Sequence, residues 1–182
     1  MAWLPNALTV MRLALTPLIY FAIVRLELGV ALALLVVAGF SDWLDGVLAR
    51  RYGWQSRLGS LLDPIADKLL FVAVFVGLVL VELMPFWLAA LAIGRDLIIV
   101  VGATVYNFAV EQLTGSATLV SKLNTLVQGV YAFALLGTAA LGREAPMLIR
   151  GLSALLVLTI VASGVHYVVA WTLKARQGID HE

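Results

Sequence analysis

Six apolar runs, each about twenty residues long, leave this chain few ways to fold. A run of that length crosses the ~30 Å hydrocarbon layer of a bilayer as a helix rising 1.5 Å per residue. Lipid offers unpaired backbone groups no partner, so such a run closes its hydrogen bonds internally, as a helix. The runs cover residues 7–24, 30 to about 50, 58–82, 86–110, 119–141 and 147–173. Residues 1–6, with Trp3 and Pro5, read as an interfacial lead-in, and Thr16-Pro17 as a kink in the first run. Pro64 falls early in the third run, where a missing N–H costs least. Composition points the same way: 63% of residues are hydrophobic and 13% charged, against roughly 45–50% and about 25% in soluble domains. The expectation is an all-α membrane protein with six transmembrane helices, residues 1–182 forming one domain.

Several classes drop out early. A net charge of +1 gives nucleic acid no basic surface to bind. The absence of cysteine excludes disulfides and, with only two histidines, argues against a zinc or copper site. The first residues lack a basic segment followed by a small-residue cleavage site, so no removable signal is expected. Six spans place both termini on one side. That side collects Arg50, Arg51, Arg57, Lys122, Lys174 and Arg176, against Arg25, Arg143 and Arg150 opposite. The bias makes the termini cytoplasmic, with a bacterial inner membrane as the expected location.

Between the second and third runs lies residues 41–68, SDWLDGVLARRYGWQSRLGSLLDPIADK, with four of the chain's eleven acids: Asp42, Asp45, Asp63 and Asp67. Residues three or four apart share a helix face, so Asp42 pairs with Asp45 and Asp63 with Asp67. Two such pairs on helices joined by a short turn meet at one membrane level, where like charges repel unless a cation sits among them. All-oxygen ligands suit a hard divalent ion, Mg²⁺, Mn²⁺ or Ca²⁺.

The spacing Asp42-x2-Asp45-Gly46-x2-Ala49-Arg50-x8-Gly59-x3-Asp63-x3-Asp67 resembles the signature of the CDP-alcohol phosphatidyltransferases, eight positions matched within twenty-six residues. Pro5-Asn6-x2-Thr9-x2-Arg12 is similar to that family's N-terminal segment. The resemblance implies six spans, a homodimer, and transfer of a phosphatidyl group from a CDP-linked lipid such as CDP-diacylglycerol to an alcohol, releasing CMP. It implies one or two ions, Mg²⁺ or Mn²⁺, held by Asp42, Asp45, Asp63 and Asp67, with Asp67 as general base. Gly46, Ala49 and Gly59 remove bulk where a nucleotide lies against helix backbone, and Arg50 adds positive charge near the phosphates. Asn6 and Thr9 recur with Arg12 on one face, which suits nucleotide contact and a helix cap or interhelical contact equally.

The acceptor is read from two further places. Arg95-Asp96 lies about ten residues inside the fourth run, and Val120-Ser121-Lys122-Leu123-Asn124-Thr125-Leu126-Val127-Gln128 opens the fifth. Both resemble the CMP-forming cardiolipin synthase branch, in which the acceptor is phosphatidylglycerol. Glycerol 3-phosphate users tend to carry a second lysine where Asn124 stands. A phosphomonoester dianion wants more cations than a phosphodiester, so Arg95 and Lys122 with Asn124 favour the lipid acceptor, with glycerol 3-phosphate as the alternative. Blander readings accompany these: Arg95-Asp96 as a structural ion pair, Lys122 as a snorkelling anchor, and Arg51 as a positive-inside residue. A cation or proton transporter would place its acids nearer the midplane, and a silent lipid-binding protein would have no need of Asp67.

Overall fold

The computed structural model describes residues 3–52, 57–109 and 119–179, and every described element is helical. Six helices follow in order: α1 Trp3–Val24, α2 Leu28–Tyr52, α3 Arg57–Leu80, α4 Phe86–Ala109, α5 Leu119–Ala140 and α6 Pro146–Ile179. Helix count and approximate limits match the six apolar runs. The ends differ for physical reasons. Helix α1 starts at Trp3, inside the expected lead-in, because Pro5 falls in the first turn, where its missing N–H is already an orphan. Helix α6 runs six residues past the expected end, since Lys174, Ala175, Arg176 and Gln177 are all strong helix formers. Pro64 stands two turns into α3 rather than at its start, so its ring nitrogen cannot donate to the carbonyl of residue 60. The expected turn at 52–54 and the loop at 111–118 fall largely outside the described residues.

Among the described residues, Leu119–Ala140 and Pro146–Tyr167 are long and apolar enough to cross a membrane. Shorter apolar helical stretches run over Thr9–Val24 and Leu28–Leu44. Large apolar side chains face outward along the helices, with Ile98, Leu119 and Leu158 all exposed, while Arg12, Asn124 and Gln128 are buried. Apolar outside and polar inside is the arrangement a lipid surround stabilises, and it supports membrane association.

The chain forms two compact units, Met1–Ala89 with Ala132–Ala145, and Ala90–Tyr131 with Pro146–Glu182. In the first, α1 packs against both α2 and α3. The buried face of α1 reads Thr9, Arg12, Thr16, Ile19 and Ile23, alternating steps of three and four. One stripe is thus polar towards the N-terminal end and apolar towards the other. Its apolar half meets α3 at Gly77, where an added Cβ would lie 3.2 Å from Ile23 Cγ2. The missing side chain lets the two helices approach closely, the usual role of small residues where helices pack in lipid.

Helices α1, α3 and α5 end with one capping pattern. The N–H groups of Glu27, Leu83 and Arg143 donate to the carbonyls five residues earlier, Ala22, Leu78 and Thr138. The residue before each donor is left-handed: Leu26, Glu82 and Gly142, all with φ of 59°. The pattern satisfies orphan carbonyls at each helix end. At Leu26 and Glu82 it does so with a side chain that disfavours the conformation.

Candidate active site

The polar end of the α1 stripe organises the first unit. Arg12 is wholly buried, and its guanidinium reaches two helices at once. Its Nη2 lies 2.5 Å from Asp42 Oδ1 on α2, and its Nη1 donates to Asp67 Oδ1 on α3 at 2.8 Å. One turn earlier on α1, Thr9 Oγ1 donates to Asp63 Oδ1. Thr16, a turn later, returns its hydroxyl to the Arg12 carbonyl at 2.9 Å, and Ser41 does the same to Val37 at 2.7 Å. Those local bonds spare the buried hydroxyls an unpaired state.

Three carboxylates from two helices therefore converge on one face of a third. The cation beneath them is fully buried, whereas the Asp42 and Asp67 side chains keep 48% and 36% of their surface open. Three anions against one guanidinium leave these four side chains at a formal −2. At an effective dielectric of about 20, like charges 4 Å apart repel by roughly 4 kcal/mol, a cost one arginine cannot cancel for all three acids. An added divalent cation would. The donor chemistry fits one, since every ligand offered is a carboxylate oxygen. Among the described residues, however, no group of three or more acidic or histidine side chains stands gathered to hold a metal. The fourth carboxylate, Asp45, lies outside the described side chains, as do Asn6, Gly46, Ala49, Arg50 and Gly59. Helices α1, α2 and α3 carry those six in their backbones.

In the same unit, α1 and α3 form an apolar groove of about 550 Å³, running past Leu13, Pro17, Tyr20, Leu69, Val72 and Val76. Thr16, one turn beyond Arg12 on α1, also borders that groove.

The second unit has its own buried cation. Arg95 on α4 donates through Nη1 to Asp96 Oδ1 at 2.7 Å and through Nη2 to Ser121 Oγ on α5 at 3.1 Å. The same Nη2 meets Ser163 Oγ on α6. Asn124, fully buried on α5, accepts from Thr159 Oγ1 of α6 at 3.0 Å. Ser153 Oγ donates to Tyr131 Oη at 3.3 Å further along the same pair of helices. Lys122 is exposed and makes no described contact with Arg95 or Asn124. So Arg95 reaches from α4 to α5 and α6, Asn124 is buried where α5 meets α6, and Lys122 is exposed.

The sequence leaves Arg12 open between nucleotide contact and a cap or interhelical contact, and the structure shows the interhelical one, to Asp42 and Asp67. The signal was present, because Thr9, Arg12 and Thr16 form a polar stripe inside an otherwise apolar helix, and an ionisable residue there is a functional candidate by default. Ser163 and Thr159, partners of Arg95 and Asn124, carried no such signal. A lone hydroxyl in an apolar helix usually bonds its own backbone.

The sequence matches the family profile described as CDP-alcohol phosphatidyltransferase over residues 2–173. A probable CMP-forming cardiolipin synthase of Drosophila melanogaster is 34% identical over 188 residues, covering 91% of this chain and 56% of the relative. A CMP-forming cardiolipin synthase of Streptomyces coelicolor is 42% identical over 104 residues, 54% of this chain and 48% of the relative. A chloroplastic CDP-diacylglycerol–glycerol-3-phosphate 3-phosphatidyltransferase of Oryza sativa is 35% identical over 182 residues, 90% of this chain and 55% of the relative. The chain thus spans about half the length of these relatives. With its acids drawn from α2 and α3 onto Arg12 and Thr9, and its sequence matched almost from end to end, the chain belongs to the CDP-alcohol phosphatidyltransferase family.

Proposed function

We propose that this protein moves a phosphatidyl group from CDP-diacylglycerol to a glycerol-type acceptor, releasing CMP, and that the acceptor is phosphatidylglycerol, giving cardiolipin. The observation carrying the reading is the carboxylate cluster clamped by Arg12 and Thr9, half-open above a buried cation. Such a cluster suits the diphosphate of a CDP-lipid with a divalent ion between them, while the acyl chains stay in the lipid surround.

The acceptor oxygen attacks the phosphorus that bears the diacylglycerol. The P–O bond to the cytidine-bearing phosphate breaks, and CMP leaves with the electron pair. The hydroxyl proton passes to Asp67, whose Oδ1 is held by Arg12, leaving Oδ2 to face the acceptor. Arg12 also fixes Asp42, and Thr9 fixes Asp63, so three acids from two helices keep one geometry. A divalent ion, Mg²⁺ or Mn²⁺, held by Asp42, Asp45, Asp63 and Asp67, would neutralise the phosphates when bound. Gly46, Ala49, Gly59, Arg50, Asn6 and Thr9 would border the cytidine diphosphate. Arg95 and Asn124 would serve the acceptor from the buried side of the second unit, and Lys122 from its exposed surface. The working unit is a single catalytic domain of six transmembrane helices in a homodimer, crossing a bacterial cytoplasmic membrane with both termini inside.

Glycerol 3-phosphate is the second acceptor reading, because the Oryza sativa relative is named for it. The two separate in one assay. Purified protein in mixed micelles receives CDP-diacylglycerol, Mg²⁺ or Mn²⁺, and one acceptor at a time. Cardiolipin and CMP from phosphatidylglycerol are the expected products. CMP release with glycerol 3-phosphate alone would replace the acceptor and leave the reaction class standing; metal-driven ion flux without lipid turnover would remove the class.

A further inference from the structure

In the second unit, α4 and α6 leave between them a groove of about 310 Å³, lined by Ala90, Leu91, Gly94, Ile98 and Ile160 and by Arg95. That size is at the low end of the roughly 300–1,000 Å³ typical of ligand pockets. The lining is almost wholly apolar, and Arg95 is its one charged member. Arg95 is 94% buried by the complement of its 6% exposure, and its Nε is a buried donor with no hydrogen-bond partner. Nη1 donates to Asp96 and Nη2 to Ser121 and Ser163, so Nε is the guanidinium nitrogen that still lacks a hydrogen bond. A buried donor left unmade costs roughly 1–3 kcal/mol, a cost that a bound oxygen removes.

We propose that this groove seats the acceptor lipid itself: one acyl chain lies along α4 and α6, and an ester or phosphodiester oxygen of the same molecule accepts from Arg95 Nε. The inference rests on the phosphatidylglycerol reading above and deepens it, because a soluble glycerol phosphate has no chain to fill such a groove. Charge agrees with the choice. Arg95 is already neutralised by Asp96, so the site lacks the surplus of cations a phosphomonoester dianion demands. Two glycines open the channel: an added Cβ at Gly94 or Gly164 would meet nothing within 4 Å. Both positions also lie within helices, where a larger side chain is better tolerated than glycine by the backbone.

That last fact supplies the test. Gly164→Leu and Gly94→Leu each push a side chain into the groove without a backbone clash. Initial rates of CMP release are measured at fixed CDP-diacylglycerol, with dioleoyl-phosphatidylglycerol and with dihexanoyl-phosphatidylglycerol as acceptors. The expected result is a KM for the long-chain acceptor raised about tenfold, the factor for displacing roughly two buried methylenes. The KM for the short-chain acceptor and for CDP-diacylglycerol should stay unchanged. Unchanged KM for both acceptors in both variants overturns the proposal, as does an equal rise for long and short chains. Loss of a co-purifying phospholipid without any change in KM also overturns it, since the groove would then hold a structural lipid. If the unsubstituted protein uses neither acceptor, the proposed function itself has failed, a result the variants cannot mimic.

Discussion

Among the described residues each unit buries one arginine, Arg12 in the first and Arg95 in the second, and the two are used in opposite ways. Arg95 is balanced locally: its carboxylate partner is the next residue, Asp96, and its other described partners are the neutral hydroxyls of Ser121 and Ser163. Arg12 is outnumbered. Its carboxylates come from two other helices, Asp67 55 residues away in sequence, and Asp63 stands beside them on Thr9. A neutral pair inside lipid is a structural solution, or a mild hydrogen-bond donor to a ligand. A cation beneath three acids is an unfinished charge balance, and it wants a further cation with something anionic to bring against it. The contrast separates where chemistry is expected from where recognition is expected.

The sharpest way to break the contrast is to remove each arginine. Arg12→Met should cost about 1.5–3 kcal/mol, because it leaves the half-open Asp42 and Asp67 without their shared cation. Folded yield and thermal stability in detergent measure it, and a variant as stable as the parent would show that the acids do not depend on α1. Arg95→Met should also destabilise, but by less once its neighbour is changed too. Arg95→Met with Asp96→Leu replaces a neutral pair by apolar groups and should recover to within about 1 kcal/mol of the parent. Failure of that recovery would mean that Ser121 and Ser163 carry the loss, and the two arginines would then be alike.

Smaller effects probe the packing that holds Arg12 in place. Gly77→Ala forces its new methyl to 3.2 Å from Ile23 Cγ2 and should destabilise the first unit by about 1–2 kcal/mol. Its thermal midpoint should fall while Gly94→Ala, with open space at its Cβ, leaves the midpoint unchanged or raises it. Smallest of all, Leu26→Gly should stabilise by about 1 kcal/mol, since residue 26 is left-handed at a helix end where Gly142 already does the same job. No gain there would mean that the exposed leucine contributes more in lipid than the backbone loses.

Much of this architecture was legible in the residues alone, and for a clear reason. Runs of about twenty apolar residues fold as helices whatever their neighbours do, so α1 to α6 could be placed within a few residues. The helical spacing of the acids made the meeting of Asp42, Asp63 and Asp67 legible too, while the side chain of Asp45 lies outside the described residues. What escaped was long-range pairing. Nothing local says that Arg12 takes Asp42 and Asp67 while Thr9 takes Asp63, because the choice depends on the rotation of α1 against α2 and α3, and that rotation is set partly by the missing side chain at Gly77. The ends of α1 and α6 escaped for the opposite reason: polar residues with good helix propensity continue a helix past the apolar stretch that announces it.

The most direct test is CMP release from CDP-diacylglycerol by the purified protein and by its Asp67→Asn variant, in the presence of phosphatidylglycerol and Mg²⁺. The clustered acids are expected to release CMP in the parent. The variant should fall by at least about 10²-fold, the scale of a lost general base, while still binding CDP-diacylglycerol. An Asp67→Asn protein that turns over at the parent's rate would contradict the role given to that carboxylate and, with it, the reading of the cluster above Arg12 as the seat of the chemistry.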